Sequence, residues 1–258
     1  MTEDRLSDPG LLRAVADIAR RAGALILEVY ATDFAVRGKA DTSPVTEADE
    51  RAEQLIVPAL RALDPAVPVV AEEAAAAGDS PAVGDWFWLV DPLDGTREFI
   101  NRNGEFTVNI ALVHRGRPVL GVVLAPALGR LFAGAAKQGA YLEEGGTTRS
   151  IRCRPVPDAG FTVVASRSHG DAAALDAFLA GRRVAALANA GSSLKLCLVA
   201  AGEADLYPRL GRTMEWDIAA GHAVLAAAGG QVTTLDGAPL RYGKAGFENP
   251  HFVASSAS

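Results

Sequence analysis

Only two cysteines, Cys153 and Cys197, occur among 258 residues. Two thiols cannot build a disulfide framework for a chain this long, and without CxxC spacing they give no sign of a thiolate metal site. They read as small apolar core residues. A surplus of positive charge is also missing: 25 Lys and Arg stand against 31 Asp and Glu, a formal net charge of -6. This balance gives no general reason to bind a nucleic acid polymer or an anionic membrane surface. It still permits an anionic substrate, because a bound cation or a few local Lys and Arg residues can reverse the potential inside one cleft. Long apolar runs are lacking too. Each is broken by charge or glycine before it reaches membrane-spanning length. The opening Met1-Thr-Glu-Asp-Arg carries no apolar signal segment. A soluble cytoplasmic protein is the expectation. No tandem repeat is visible.

What is present suits a globular enzyme. Hydrophobic residues make up 49% of the chain and charged residues 22%, enough to bury a real core. The length fits one large domain or two modest ones. Asp8-Pro9 opens a helix that ends near Glu28 to Tyr30, with Asp8 as cap and Pro9 in the first turn. Residues 37 to 45 read as a polar loop. A second helix follows Thr46, whose spacing to Asp49 is that of a capping box; Pro58 is expected to kink it. Strands are predicted at Val67 to Ala71, Trp86 to Val90, Thr107 to Val113 and Val119 to Leu124, the last two as a hairpin. Ala74 to Asp85 reads as a surface linker, and short strands are expected within 131 to 142. Phe161 to Ala165 and Asp205 to Tyr207 read as strands. Ala172 to Leu179, Ser192 to Val199 and Glu215 to Ala228 read as helices. Late strands are expected at Val232 to Leu235 and Phe252 to Val253. A boundary within 143 to 160 would divide the chain into parts 1–150 and 151–258.

The most informative segment is Trp88-Leu-Val-Asp91-Pro-Leu-Asp94-Gly-Thr96. An apolar strand delivers two carboxylates, and Pro92 ends its ladder so that Asp91 and Asp94 can converge. Hard cations such as Mg2+ take carboxylate, carbonyl and water oxygens, and the Leu93 carbonyl lies between the two acids. Gly95 permits close backbone approach to a phosphate. Asp-Pro and Asp-Gly are also common turn dipeptides, so the spacing alone leaves a simple turn open. Glu72 and Glu73 follow a strand, Asp217 begins a helix and Asp49 caps one. Each has a plain structural explanation. Together they are also four acidic element ends able to meet in one cleft.

These stretches resemble the inositol monophosphatase superfamily and, within it, the bacterial 3'(2'),5'-bisphosphate nucleotidases of the CysQ type. The resemblance spans about Val36 to Phe252. It rests on Lys39 to Asp49, Val70 to Glu73, Trp88 to Thr96, Gly104 to Leu112, Ser166 to His169, Gly191 to Lys195 and Trp216 to His222. It implies an αβαβα layered sandwich with the site between the two sheet-bearing parts. It implies that Glu72, Asp91, the Leu93 carbonyl, Asp94 and Asp217 hold Mg2+, two or three ions per site. Glu73 is the weaker candidate ligand. Asp49 and Thr96 match the pair that orients and helps deprotonate the attacking water. Gly95 and Thr96 match amides that contact the phosphate.

Arg97-Glu98-Phe99 looks like the nucleotidase pattern; simple inositol monophosphatases have Thr-Asn-Phe there. Ser166, His169, Ser192, Ser193, Lys195 and Arg209 are then the implied substrate contacts, with Lys195 facing the second, non-reacting phosphate. Ser192 and Ser193 are equally readable as helix caps, and His222 as structural. The implied reaction takes 3'-phosphoadenosine 5'-phosphate to AMP and phosphate without a phosphoenzyme, with sensitivity to lithium. An inositol or other sugar phosphatase is the nearer alternative. A non-catalytic metal-binding regulator is the more distant one, disfavoured because Asp49 and Thr96 are both present. The implied partner is a small nucleotide; monomer and homodimer both stay open. Peripheral association with the inner membrane's cytoplasmic face fits the subgroup, although no amphipathic anchor is evident.

Overall fold

The computed structural model describes residues 1–38, 44–166 and 172–256. The first half runs α1 (Pro9–Tyr30), β1 (Val36–Gly38), β2 (Pro44–Thr46), α2 (Glu47–Leu63), β3 (Val69–Ala71), α3 (Glu72–Ala76), β4 (Trp86–Asp94), α4 (Thr96–Ile100), β5 (Thr107–His114), β6 (Arg117–Ala125), β7 (Arg130–Ala135), β8 (Gly139–Glu144) and β9 (Thr147–Ile151). The second runs β10 (Phe161–Ser166), α5 (Ala172–Leu179), β11 (Val184–Ala190), α6 (Leu194–Ala200), β12 (Leu206–Arg209), α7 (Glu215–Ala227), β13 (Gly230–Thr234) and β14 (Phe252–Ser256).

The helix starts follow their caps. Asp8 accepts from the Gly10 amide at 2.8 Å with Pro9 in the first turn. Thr46 and Asp49 form the reciprocal capping box of α2. That helix runs on through Pro58 to Leu63, so proline does not end it. The expected polar loop at 37 to 45 contributes the short antiparallel pair β1–β2 from its described residues. The expected linker from Ala74 begins inside α3.

Strands β3 to β9 form a seven-stranded sheet in sequence order, with β3 parallel to β4 and the rest antiparallel. A five-stranded mixed sheet has the order β11-β10-β12-β14-β13. Helices α1 and α2 cover one face of the large sheet, and α6 and α7 lie between the two sheets. The layers are thus helix, sheet, helix, sheet; α5, left for the outermost layer, buries none of its side chains. Because both faces of the large sheet are covered, β4 reads as an unbroken apolar run rather than an alternating one. Its Trp88 and Val90 join the core under α1 and α2, while Phe87 and Leu89 join the core shared with α6 and α7. No helix among the described residues is long and apolar enough to cross a membrane.

Helix α7 sits unusually close to the sheet, and small residues are the reason. A Cβ on Gly121 of β6 would meet the Ala220 carbonyl oxygen at 2.2 Å, and one on Gly134 of β7 would meet Val224 Cα at 3.0 Å. The alanine-rich sequence of α7 is therefore a packing surface, and it fixes where the helix start bearing Asp217 lies.

Candidate active site

Strand β4 does not stop at Asp91. It continues to Asp94 through a bulge, with Asp91 opposite Asn109 and Asp94 opposite Thr107. Three steps on β4 thus match two on β5. Pro92 is tolerated there because a bulge leaves a donor unneeded in the ladder. The Leu93 amide returns to Asp91 Oδ1 at 3.0 Å. Gly95 then takes φ 90°, the left-handed region, and α4 begins. Here glycine is required twice over, by the φ value and by the Glu105 carbonyl oxygen and Ser192 Cβ that crowd its absent Cβ at 3.2 and 3.3 Å.

The cleft beside this turn has a volume of about 690 Å³ and is walled by Glu72, Asp91, Leu93, Asp94, Thr96 and Asp217, with Gly95, Ser166, Ser192, Ser193, Lys195 and Arg209 also lining it. Glu72 enters at the start of α3. The turn before it is held by Glu53 of α2, which accepts from the Glu73 amide at 2.8 Å and the Ala74 amide at 2.9 Å. Asp217 enters at the start of α7, where it also accepts from the Met214 amide at 2.8 Å. Asn109 Nδ2 donates to Asp94 Oδ2 and to the Asp217 carbonyl, both at 3.3 Å, and so ties the two ends together. Ser193 Oγ also donates to the Asp217 carbonyl.

The carboxylates disturb one another. Burial, then the charges of Glu72, Asp94 and Asp217, push Asp91 well above the usual range. Burial, then Asp94 and Glu72, do the same to Asp217. Burial raises Asp94 to about 6, against the opposing Lys195 charge, the Asn109 amide and the Ser193 N–H. Among the described residues no three His, Cys, Asp or Glu side chains close into a finished ligand cage. The donor chemistry nevertheless fits a hard divalent cation. Crowded, mutually repelling carboxylates, of which Asp91 is buried, need a compensating positive charge, and oxygen ligands are what Mg2+ takes. Asn109 Oδ1 is buried with no hydrogen-bond partner among the described residues, a further acceptor left open beside the acids.

Asp49 is 1% exposed. Its Oδ2 accepts from the Thr46 amide at 2.9 Å and hydroxyl at 2.7 Å, while Oδ1 accepts from Thr96 Oγ1 at 3.3 Å. Thr96 Oγ1 also lies 3.4 Å from the Leu93 carbonyl. Asp49 thus links the start of α2 to Thr96 at the start of α4.

Lys195 is 4% exposed. Its Nζ donates to the carbonyls of Ser192 at 2.6 Å and Ala190 at 3.1 Å, and sits 5.5 Å above the Tyr207 ring. Burial, opposed by the Asp94 charge, lowers its pKa to about 8. It therefore braces the loop at 190–193, in which Ser192 adopts φ 43°, as well as lining the cleft. Glu105 secures the other side of that loop by accepting from the Gly191 amide at 2.8 Å. Arg209 Nη2 donates to the Arg212 carbonyl at 2.9 Å, while Arg209 Nε and Ser192 Oγ are buried without partners among the described residues. His169 lies outside the described residues. His222 does not join the cluster: it is buried, with Nδ1 2.8 Å from the Tyr242 hydroxyl.

Sequence reasoning assigned no role to Asn109, Glu53 or Glu105. Asn109 had a signal, a lone amide inside the apolar run Thr107–His114. Glu53 had none, since its partners lie 20 and 21 residues away.

Residues 10–256 match the inositol monophosphatase family, and the chain belongs to that family. Within it, the chain is 48% identical to the 3'(2'),5'-bisphosphate nucleotidase CysQ of Escherichia coli K12, covering 95% of this chain and 99% of that one. The protein of that name from Buchnera aphidicola is 38% identical, covering 95% and 94%. Among solved structures, CysQ from Bacteroides thetaiotaomicron superposes with a TM-score of 0.80 at 39% identity, covering 96% of this chain and 97% of that one. An inositol monophosphatase from Anabaena gives 0.74 at 26% identity, covering 96% and 91%.

Proposed function

We propose that this chain is a phosphatase that removes the 3'-phosphate of 3'-phosphoadenosine 5'-phosphate, giving AMP and inorganic phosphate. The observation that carries the reading is the Asp49–Thr96 pair set beside the cleft-lining acids of β4 and α7, in a chain 48% identical to a named bisphosphate nucleotidase. Parts 1–150 and 151–258 would contribute to one site: the first supplies most of the acids, the second Asp217 and the nucleotide-facing side chains.

Glu72, Asp91, the Leu93 carbonyl, Asp94 and Asp217 would hold Mg2+. When bound, the ion supplies Lewis acidity, lowering the pKa of water and neutralising phosphate charge. The protein's own residues do the rest. Thr96 donates its hydroxyl hydrogen to Asp49, which leaves an oxygen lone pair to accept from the attacking water and aim it in line with the leaving ribose oxygen. The Asp49 carboxylate is the base behind that relay. The amides of Gly95 and Thr96 face the reacting phosphate. Lys195 and Arg209 place positive charge near the second phosphate, and Ser166, His169, Ser192 and Ser193 complete the substrate contacts.

A second reading, an inositol or sugar phosphatase, is favoured by one observation. Lys195 Nζ already has two carbonyl partners and does not need a second phosphate. Phosphorus NMR tests the first reading directly. It expects the 3'-phosphate resonance of the bisphosphate to be replaced by free phosphate while the 5'-phosphate persists. Loss of the 5'-phosphate first, or of neither, defeats it.

A further inference from the structure

We propose that Phe247 is the surface on which the substrate's purine base stacks, held in place by a lip of residues 243–249. The inference rests on the nucleotide reading above and deepens it. Gly246, Phe247, Met214 and Trp216 line the same cleft as the buried acids. Phe247, Met214 and Trp216 give the cleft an apolar, aromatic part beside its carboxylates, hydroxyls and cations. Phosphate chemistry has no use for an aromatic face. A nucleobase does, because every base offers a π-face to an aromatic ring. An inositol ring does not.

The backbone at Phe247 is strained. It takes φ 55°, directly after Gly246 at φ 74°. A bulky residue in the left-handed region is a genuine outlier, and such strain persists only where its surroundings enforce it. The surroundings here are explicit. Glu215, 0% exposed, accepts from the Gly243 amide at 2.7 Å, the Lys244 amide at 3.0 Å and Lys244 Nζ at 2.6 Å. Lys244 Nζ also donates to Asn249 Oδ1 at 3.1 Å, and the Asn249 amide donates to the Thr213 carbonyl at 2.9 Å. An ion pair between buried Glu215 and half-buried Lys244 therefore clips the lip onto the start of α7, two residues before Asp217. Phe247 is only half-buried, with its ring 6.0 Å from Trp216. One side of the ring is backed by the protein, and the residue also lines the cavity.

The test uses Phe247→Ala, Phe247→Leu and Phe247→Tyr in the full chain with Mg2+. Phosphate release is compared for 3'-phosphoadenosine 5'-phosphate and for ribose 3,5-bisphosphate, which lacks the base. AMP binding is measured by calorimetry. Stacking predicts that kcat/KM for the nucleotide falls about 10-fold in the Ala and Leu variants, mainly through KM, and that AMP binding weakens in parallel. The Tyr variant keeps wild-type values, and the base-free substrate is unaffected throughout. The Leu variant retains apolar packing and carries the comparison if the Ala variant does not fold. Equal losses on both substrates would show that the ring only holds the lip. No loss on either would place the base elsewhere. If the wild-type protein neither cleaves the nucleotide nor binds AMP, the nucleotide reading falls and this inference with it. If it does cleave the nucleotide, the variants decide the inference alone.

Discussion

Asp49 divides its two oxygens between two duties. Oδ2 closes the capping box of α2, and Oδ1 holds the Thr96 hydroxyl. Asp49→Asn keeps an acceptor for the cap but removes the charge that, in the proposed mechanism, makes Thr96 a relay. We expect kcat to fall by about 10²–10⁴, the usual worth of a positioned base, with a melting temperature close to wild type; a small kcat effect would remove Asp49 from the chemistry. The cap was legible from the Thr46–Asp49 spacing, and the resemblance set Thr96 beside Asp49; the relay itself is the proposal that this variant tests. His222 shows the reverse case, a titratable residue beside a motif that does no chemistry. Burial lowers its pKa to about 3. Its folded pKa lies below the unfolded value near 6.5, so the unfolded chain binds the extra proton. This residue's contribution is complete above about pH 6.5 and is lost progressively as pH falls toward 3. A proton NMR titration should find the His222 ring neutral from pH 8 down to about 4. A midpoint near 6.5 would contradict the buried Tyr242 pairing.

At the scale of elements, the site depends on how closely α7 approaches the large sheet. Gly121→Ala drives a methyl group onto the Ala220 carbonyl oxygen. Overpacking of this kind costs about 1–3 kcal/mol or more. We expect a lower denaturation midpoint and, because the helix start must shift, weaker activity as well. Wild-type stability in that variant would mean the contact is loose. The alanine-rich α7 was legible as a helix, but its intimacy with β6 and β7 was not, because a small-residue sequence does not name the surface it packs on. The bulge at Pro92 was hidden for a related reason: Asp-Pro-Leu-Asp spacing suits a turn and a bulge equally, and only pairing with Asn109 and Thr107 decides between them. Strand β11 escaped notice because Val184–Ala190 is alanine-rich and largely exposed, without the alternation or β-branched bulk that marks a half-buried strand.

Across the whole molecule, two sheets and the helices between them bring together acids separated by more than 140 residues of chain. That assembly is destabilising without a cation. Asp94 is raised to about 6 by burial, above its unfolded value near 3.9. Its contribution to stability is therefore complete below about pH 4 and is lost as pH rises through 6. It opposes the His222 effect in the same window. Adding Mg2+ to the stripped protein at pH 7 should raise its melting temperature, as any ligand selective for the folded state does. Asp94→Asn should melt no lower than wild type without metal and should gain less from its addition. An equal gain in both would exclude Asp94 from the cation site. The family and its layers were legible because the acidic ends keep their order along the chain; the route by which Lys195 acts was not, since spacing cannot show that its ammonium reaches back to two carbonyls. The measurement that bears most directly on the account compares kcat/KM for 3'-phosphoadenosine 5'-phosphate and inositol 1-phosphate at saturating Mg2+, in wild type and Lys195→Ala. A strong preference for the nucleotide that collapses in the variant is expected. A preference for inositol 1-phosphate, or a nucleotide preference untouched by Lys195→Ala, would contradict it.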